Sequence, residues 1–139
     1  MITMHYFLAK TDPQTYSSVD LARDKSTIWD GVTNAQAVQA IRAMRPDDRV
    51  FIYHSQGESA IVALAEVTDA PRPDPSNAKS WVVGMQFVRK IEPPATLAEI
   101  KASGLFDAWA LVRQSRLSTM AAPESFVNWM RERYPALKL

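Results

Sequence analysis

Cysteine is absent from the 139 residues. That excludes a disulfide framework, a thiolate metal site and a cysteine nucleophile. It suits a reducing compartment, and we expect a cytoplasmic protein. Glycine is scarce: the chain has 4. They are too scattered for a dinucleotide fingerprint or a Walker loop, which need glycines at fixed, close spacing. Histidine is scarcer still, with His5 and His54 alone. Without a thiol, a zinc ion would need carboxylates to complete its tetrahedron, so neither a metal nor a cofactor is expected. No apolar run approaches the roughly 20 residues that cross a bilayer, so no membrane partner is expected. The opening MITMHYFLAKTD has no long apolar core behind a basic segment, which reads as no signal peptide. A surplus of one charge is missing too. There are 16 basic and 15 acidic residues, a formal net charge of +1. Any nucleic-acid contact must therefore rest on a local patch and not on the overall field.

What is present is a series of apolar segments punctuated by proline. The length fits one domain, residues 1–139, and a domain of about 150 residues hides roughly 68–70% of its unfolded surface. HYFLAK (5–10) reads as a strand stopped by Thr11-Asp12-Pro13. Ser17 followed by Asp20 predicts a capped short helix over 18–24. Ala37, Val38, Ile41 and Met44 recur at helical spacing. Thr33 or Asn34 can cap that helix, because either side-chain oxygen can accept from a free first-turn amide. Pro46 ends it. RVFIYHS (49–55) alternates as a strand, Gln56-Gly57-Glu58 reads as a hairpin-like connection, and AIVALAEV (60–67) reads as a buried strand.

DAPRPDPSNAK (69–79) reads as a loop, and WVVGMQFVRKI (81–91) as a long strand with Trp81, Val83, Met85 and Phe87 on one face. Gly84 suggests a bulge or a bend. Thr96 and Glu99 form a capping box for a helix starting near 97. Residues 106–112 are apolar but fit no one element. Pro123 suits the start of a last helix that buries Phe126, Val127, Met130 and Tyr134. Helices and strands interleave, yet most strand links read as hairpins. This predicts an α+β domain around an antiparallel, closing sheet.

Two constellations could carry chemistry. Tyr53-His54-Ser55 sets a base beside a hydroxyl. Neighbours on a strand point to opposite faces, and no GxSxG elbow is present. A hydrolase using His54 is therefore an alternative that strand geometry disfavours. The other constellation is aromatic. Trp29 stands next to Asp30 and near Asn34, as Tyr53 stands next to His54 and Ser55. Core packing explains such aromatics, and so does a pocket. A flat ligand such as a nucleobase needs stacking faces plus edge-directed hydrogen bonds, and these residue types supply both. Arg113 and Arg116, taken alone, read as solvated surface or helix C-terminal charges.

Several segments carry a resemblance, in order along the chain. YFLAKTDP (6–13) is similar to YWLxKSEP, IWDGVTNAQA (28–37) to WDGVRNYQA, and MRPDDRVFIYHS (44–55) to MKxGDxVLFYHS. AIVALAEV (60–67) is similar to GIVGIAEV, and LVRQSRLSTM (111–120) to LLRxxRLSVxPV. These are motifs of the EVE domain, a PUA-like family that includes the thymocyte nuclear proteins. The resemblance implies a PUA-like small antiparallel β-barrel, or pseudobarrel, flanked by short helices. It implies a non-catalytic module that binds nucleic acid, DNA or RNA, and receives a modified base such as methylated cytosine or adenine. Carried over by position, the ligand-binding residues would be Phe7, Lys10, Trp29, Asp30, Asn34, Tyr53, His54, Ser55, Trp81, Leu117 and Ser118. Arg113 and Arg116 would hold phosphate. Phe7 stands where the motif has Trp, and Thr33 where it has Arg. The latter removes a charge near the mouth and keeps open a small-molecule or protein-interaction module with a diverged pocket.

Overall fold

The computed structural model describes residues 4–57 and 59–139, so Glu58 of the hairpin-like connection lies outside the described residues. The elements run β1 (Tyr6–Thr11), α1 (Ser18–Asp24), β2 (Ser26–Trp29), α2 (Ala35–Ala43), β3 (Arg49–His54), β4 (Ala60–Val67), β5 (Arg72–Asp74), β6 (Asn77–Thr96), α3 (Leu97–Ala102), α4 (Ala110–Arg113), β7 (Thr119–Ala121) and α5 (Glu124–Arg133). A single 3-10 turn, Pro135–Leu137, follows. The strands join in the order β2-β6-β4-β3-β1-β7, with β5 paired to β6 beside that path. The result is an α+β pseudobarrel. The sheet is not closed by strand pairing; α2 packs against both β6 and β7 and fills the opening.

The antiparallel expectation needs one correction. Strand β1 pairs with β3 in parallel, from Tyr6 opposite Arg49 to Thr11 opposite His54. Parallel neighbours need a long crossover, and here residues 12–48, with both α1 and α2, provide it. The other side of β1 takes β7 antiparallel, with Leu8 opposite Met120. Strand β1 is thus an inner strand, and Tyr6, Phe7, Leu8 and Ala9 are all buried. This matches a continuous apolar run better than an alternating one.

One buried carboxylate holds the start of that parallel pair. Asp48 is 3% exposed. Its Oδ1 accepts from the His5 amide at 3.1 Å and its Oδ2 from the Arg45 amide at 2.9 Å. Sequence reading assigns Asp47-Asp48 only a turn. The turn is real, with Asp47 at φ 76°, but Asp48 also ties the β1 entry to the end of α2.

Three strands are not foreseen from sequence. Ser26–Trp29, the approach to the α2 cap, pairs with β6 as β2. The expected loop 69–79 instead folds back as a hairpin, with β5 alongside β6 and Asp74 Oδ1 accepting from the Ser76 amide at 2.8 Å. The polar stretch near 119 supplies β7. Each is 3 or 4 residues long, too short for its own period to show. Strand β6 runs 20 residues, beyond the expected 81–91, because it serves β5, β2 and β4 along its length.

The caps follow the residues that suggest them. Ser17 with Asp20 and Thr96 with Glu99 both form complete capping boxes. Of the two candidates for α2, Asn34 is the cap: its Oδ1 accepts from the Gln36 and Ala37 amides at 3.0 and 3.1 Å. Gly84 marks a close approach. A Cβ there would lie 2.8 Å from Asp69 Oδ1, which itself accepts the Gly84 amide.

Replacing Asp48 by alanine leaves two inward-facing amides without acceptors. A hydrogen bond to a charged group contributes about 1.5–3 kcal/mol. Urea unfolding of Asp48→Ala is therefore expected to show destabilisation by about 2–3 kcal/mol, and a midpoint equal to wild type would refute the role given to this carboxylate.

Candidate functional site

The pairings around β1 decide what meets at its C-terminal end. Lys10 is opposite Tyr53 and Thr11 opposite His54 on one side. On the other, the Lys10 amide donates to the Ser118 carbonyl at 2.7 Å. Beyond Thr11 the chain turns at Asp12-Pro13, and the Thr11 hydroxyl donates to the Tyr16 carbonyl at 2.7 Å. This loop faces the end of β2. Gly31, at φ +77°, lets the chain leave β2 sharply before the Asn34 cap. Between these parts lies a cleft of about 420 Å³, lined by Lys10, Tyr16, Ile28, Trp29, Asp30 and Ser118, with Thr11, Thr15, Thr27, Gly31 and Val32 between them.

The cleft brings together Lys10, Trp29, Asp30 and Ser118 of the residues named from sequence. Asn34, Arg113, Arg116 and Leu117 line an adjoining recess of about 300 Å³. Leu117 and Ser118, neighbours in the chain, join the two. Tyr53 and Ser55 line a third recess with Lys10.

The remaining three lie elsewhere. Phe7 is 4% exposed in the core of β1 and offers no stacking face. Trp81 sits opposite Pro73 on the β5–β6 arm, with the Arg42 guanidinium 4.6 Å from its ring centre. That pairing is an ordinary surface cation–π contact. His54 lies at the end of β3 facing α1, where its Nε2 accepts from the Ser18 amide at 3.0 Å.

The aromatic wall also differs from the expectation. Trp29 is 7% exposed, so its indole is mostly core and only a small part meets the cleft. Ile28, on the opposite face of β2, is 46% exposed. It is the larger apolar surface on that wall. Sequence reading misses Thr11, Thr15, Tyr16, Thr27, Ile28, Gly31 and Val32 as lining. The signal for Ile28 is present, a large apolar residue beside Trp29, but its side depends on β2, which the sequence does not foretell.

Electrostatics divide the site. Burial holds the Lys10 ammonium below the usual lysine value. Its Nζ donates to the Ser115 carbonyl at 3.0 Å and lies 5.5 Å from the Tyr53 ring centre. Tyr16 donates to Asp24 Oδ2 at 2.9 Å. Partial burial, then this carboxylate, raises its phenol above the usual value, so it stays a neutral donor. Asp30 and the two rim arginines are exposed.

No Ser–His couple forms. His54 spends its Nε2 lone pair on the Ser18 amide, while Ser55 Oγ donates to the Thr11 carbonyl at 3.3 Å. Among the described residues, no group of three or more His, Asp and Glu side chains is placed to hold a metal ion. Nor is any described helix long and apolar enough to cross a membrane.

Residues 5–133 match the EVE domain family. Thymocyte nuclear protein 1 of Rattus norvegicus is 32% identical over 125 residues, 70% of this chain and 55% of that protein. The chain thus spans about half the length of the curated relatives it matches. A solved hypothetical protein from Leishmania major superposes with a TM-score of 0.82 at 31% identity, covering 96% of this chain and 98% of the other. The human THYN1 protein, solved in complex with 5-methylcytosine-containing DNA, gives a TM-score of 0.82 at 26% identity, covering 91% and 95%.

The His54 contact has a pH signature. Burial lowers the His54 pKa, because desolvation penalises the imidazolium. The unfolded chain then binds the proton more readily than the folded one, so stability rises with pH across that window. The contribution is complete above about pH 6.5, the ordinary histidine value, and is lost as pH falls toward the folded pKa. NMR titration is expected to place the His54 midpoint below that value, with His54→Asn removing this part of the acid sensitivity. A midpoint at or above 6.5 would contradict the assignment.

Proposed function

The chain belongs to the EVE domain family, and on that premise we propose that it is a non-catalytic nucleic-acid-binding module that takes one modified base into the cleft between β1 and β2. Methylated cytosine and methylated adenine are the base classes this reading admits. The observation that carries it is the mixed lining of the cleft: the exposed Ile28 and the small exposed part of Trp29 at the end of β2, together with Lys10, Thr11 and Ser118. A base has an apolar face and a polar edge, and its methyl group adds a small apolar projection. The cleft volume of about 420 Å³ falls in the range of about 300–1,000 Å³ usual for small-ligand sites. The complex of human THYN1 with 5-methylcytosine-containing DNA supports DNA as the nucleic acid and a methylated cytosine as the first base to test.

Magnitudes assign the roles. Unstacking a base costs a few kcal/mol, and stacking on an aromatic returns about 1–3. A mostly buried Trp29 supplies only part of that return. Edge hydrogen bonds and phosphate contacts must make up the rest, and the exposure of Arg113 and Arg116 in the neighbouring recess supports a phosphate role for them. Catalysis through His54 draws no support, since its free nitrogen is engaged by a backbone amide and Ser55 is turned to Thr11.

Fluorescence anisotropy with oligonucleotides carrying 5-methylcytosine, N6-methyladenine or no modification tests this. A methylated strand is expected to bind more tightly, and Ile28→Ser, a surface change, to reduce that preference. Arg113→Ala with Arg116→Ala is expected to weaken all strands alike and to flatten the salt dependence by about 0.7–0.9 for each phosphate no longer neutralised. Equal, weak binding of every oligonucleotide, indifferent to Ile28→Ser, would end the proposal.

A further inference from the structure

Next to the cleft, on the far side of Lys10, is a narrower recess of about 210 Å³. Residues of β1, the end of β3, α3 and α4 line it, with Ser59 ahead of β4 and Ser115 after α4. Its polar lining is Lys10, Tyr53, Ser55, Ser59, Lys101 and Ser115, above a floor of Leu97, Leu111 and Val112. Neither Lys101 nor Ser59 belongs to the base cleft or to the arginine recess. Among the described residues that line it, none is acidic.

The donors are arranged for an anion. Lys10 Nζ uses one hydrogen on the Ser115 carbonyl, which anchors the ammonium and leaves two donors. The Tyr53 hydroxyl lies beside Ser59, and burial keeps the phenol neutral. Lysines are point charges without the planar fork that matches a carboxylate. Ammonium and hydroxyl groups converging from three parts of the chain suit a tetrahedral anion with acceptors on every side.

We propose that the recess between β3 and α3 binds a phosphate group, held by Lys10 and Lys101 with the hydroxyls of Tyr53 and Ser59. Such a group has two sources, a phosphodiester of a bound strand or a free phosphate. Lys10 lines both the recess and the cleft, so one residue borders the proposed base site and the proposed phosphate site. That favours the strand, and to that extent the inference rests on the proposed function.

Two arms separate the sources. The first titrates the whole chain with inorganic phosphate and follows backbone amides by NMR. Saturable shifts at Ser55, Ser59 and Ser115 are expected, and Lys101→Glu, a change at an exposed position, abolishes them while the other resonances stay in place. Absence of saturable shifts, or shifts that Lys101→Glu leaves intact, overturns the site. The second arm measures oligonucleotide affinity against salt. Lys101→Ala is expected to weaken binding several-fold, lower the slope of log K against log salt by about 0.7–0.9, and leave the ratio of methylated to unmodified affinity unchanged. Phosphate shifts with an unchanged slope overturn the strand as source and assign free phosphate. A wild-type chain that binds no oligonucleotide refutes the proposed function instead, while the phosphate arm still decides the recess.

Discussion

The parallel pairing of β1 with β3 is the constraint on which the rest of the structure depends. It forces residues 12–48 to leave the sheet and return, which creates the loop after Thr11, helix α1, strand β2 and helix α2 in one excursion. It makes β1 an inner strand, so β7 must cover the other side. The C-terminal end of β1 is therefore surrounded. β3 stands on one flank, β7 and the segment before it on the other, and the β2 turn stands opposite. Both the proposed base cleft and the proposed phosphate recess are spaces left at that meeting point, and Lys10 lines each. Asp48 sits at the other end of the same pair, where a buried carboxylate on the His5 amide fixes where the register starts.

Division of labour follows from burial. Core demands claim Phe7 outright and most of Trp29. What remains for a ligand is a modest apolar patch with Ile28 exposed on it, neutral donors and carbonyls with Lys10 among them, and two arginines in the neighbouring recess. Such a site supplies shape and hydrogen bonds at its centre and charge at its edge. Phosphate contacts add affinity without telling one base from another. In the proposed reading, selectivity would come from the cleft itself, where one methyl group would change the fit by a small apolar contact. The near-neutral chain, at +1, fits this arrangement, because local cations and not the global field have to attract a strand.

Much of the fold is legible in the sequence, and the legible parts share a physical cause. Long segments with a strong period, such as 60–67 and α5, declare themselves. So do the caps at Ser17 and Thr96, where one side-chain oxygen answers a local need, while the α2 cap is legible only as Thr33 or Asn34. The strands that escape, β2, β5 and β7, are short, and only their partners make them strands. The parallel register escapes because it joins residues far apart in the chain and leaves no local mark. The site is read through motif resemblance, which locates Lys10, Trp29, Asp30 and Ser118 at one cleft. It cannot show that Trp29 turns mostly inward while Ile28 turns out, since that depends on the β2 register. Trp81 and His54 are carried over by the same resemblance, yet they lie away from the cleft in space. Lys101 and Ser59 belong to no quoted motif, and only the packing of α3 beside β3 brings them to Lys10.

One cleft between β1 and β2 is proposed to receive the base. Backbone and indole NMR shifts, followed while a short strand bearing a single 5-methylcytosine is added, test it most directly. Lys10, Gly31, Ser118 and the Trp29 indole are expected to shift together along one saturation curve, with Trp81 unmoved. Shifts centred on the β5–β6 arm, or a strand that binds while the cleft resonances stay still, would contradict it.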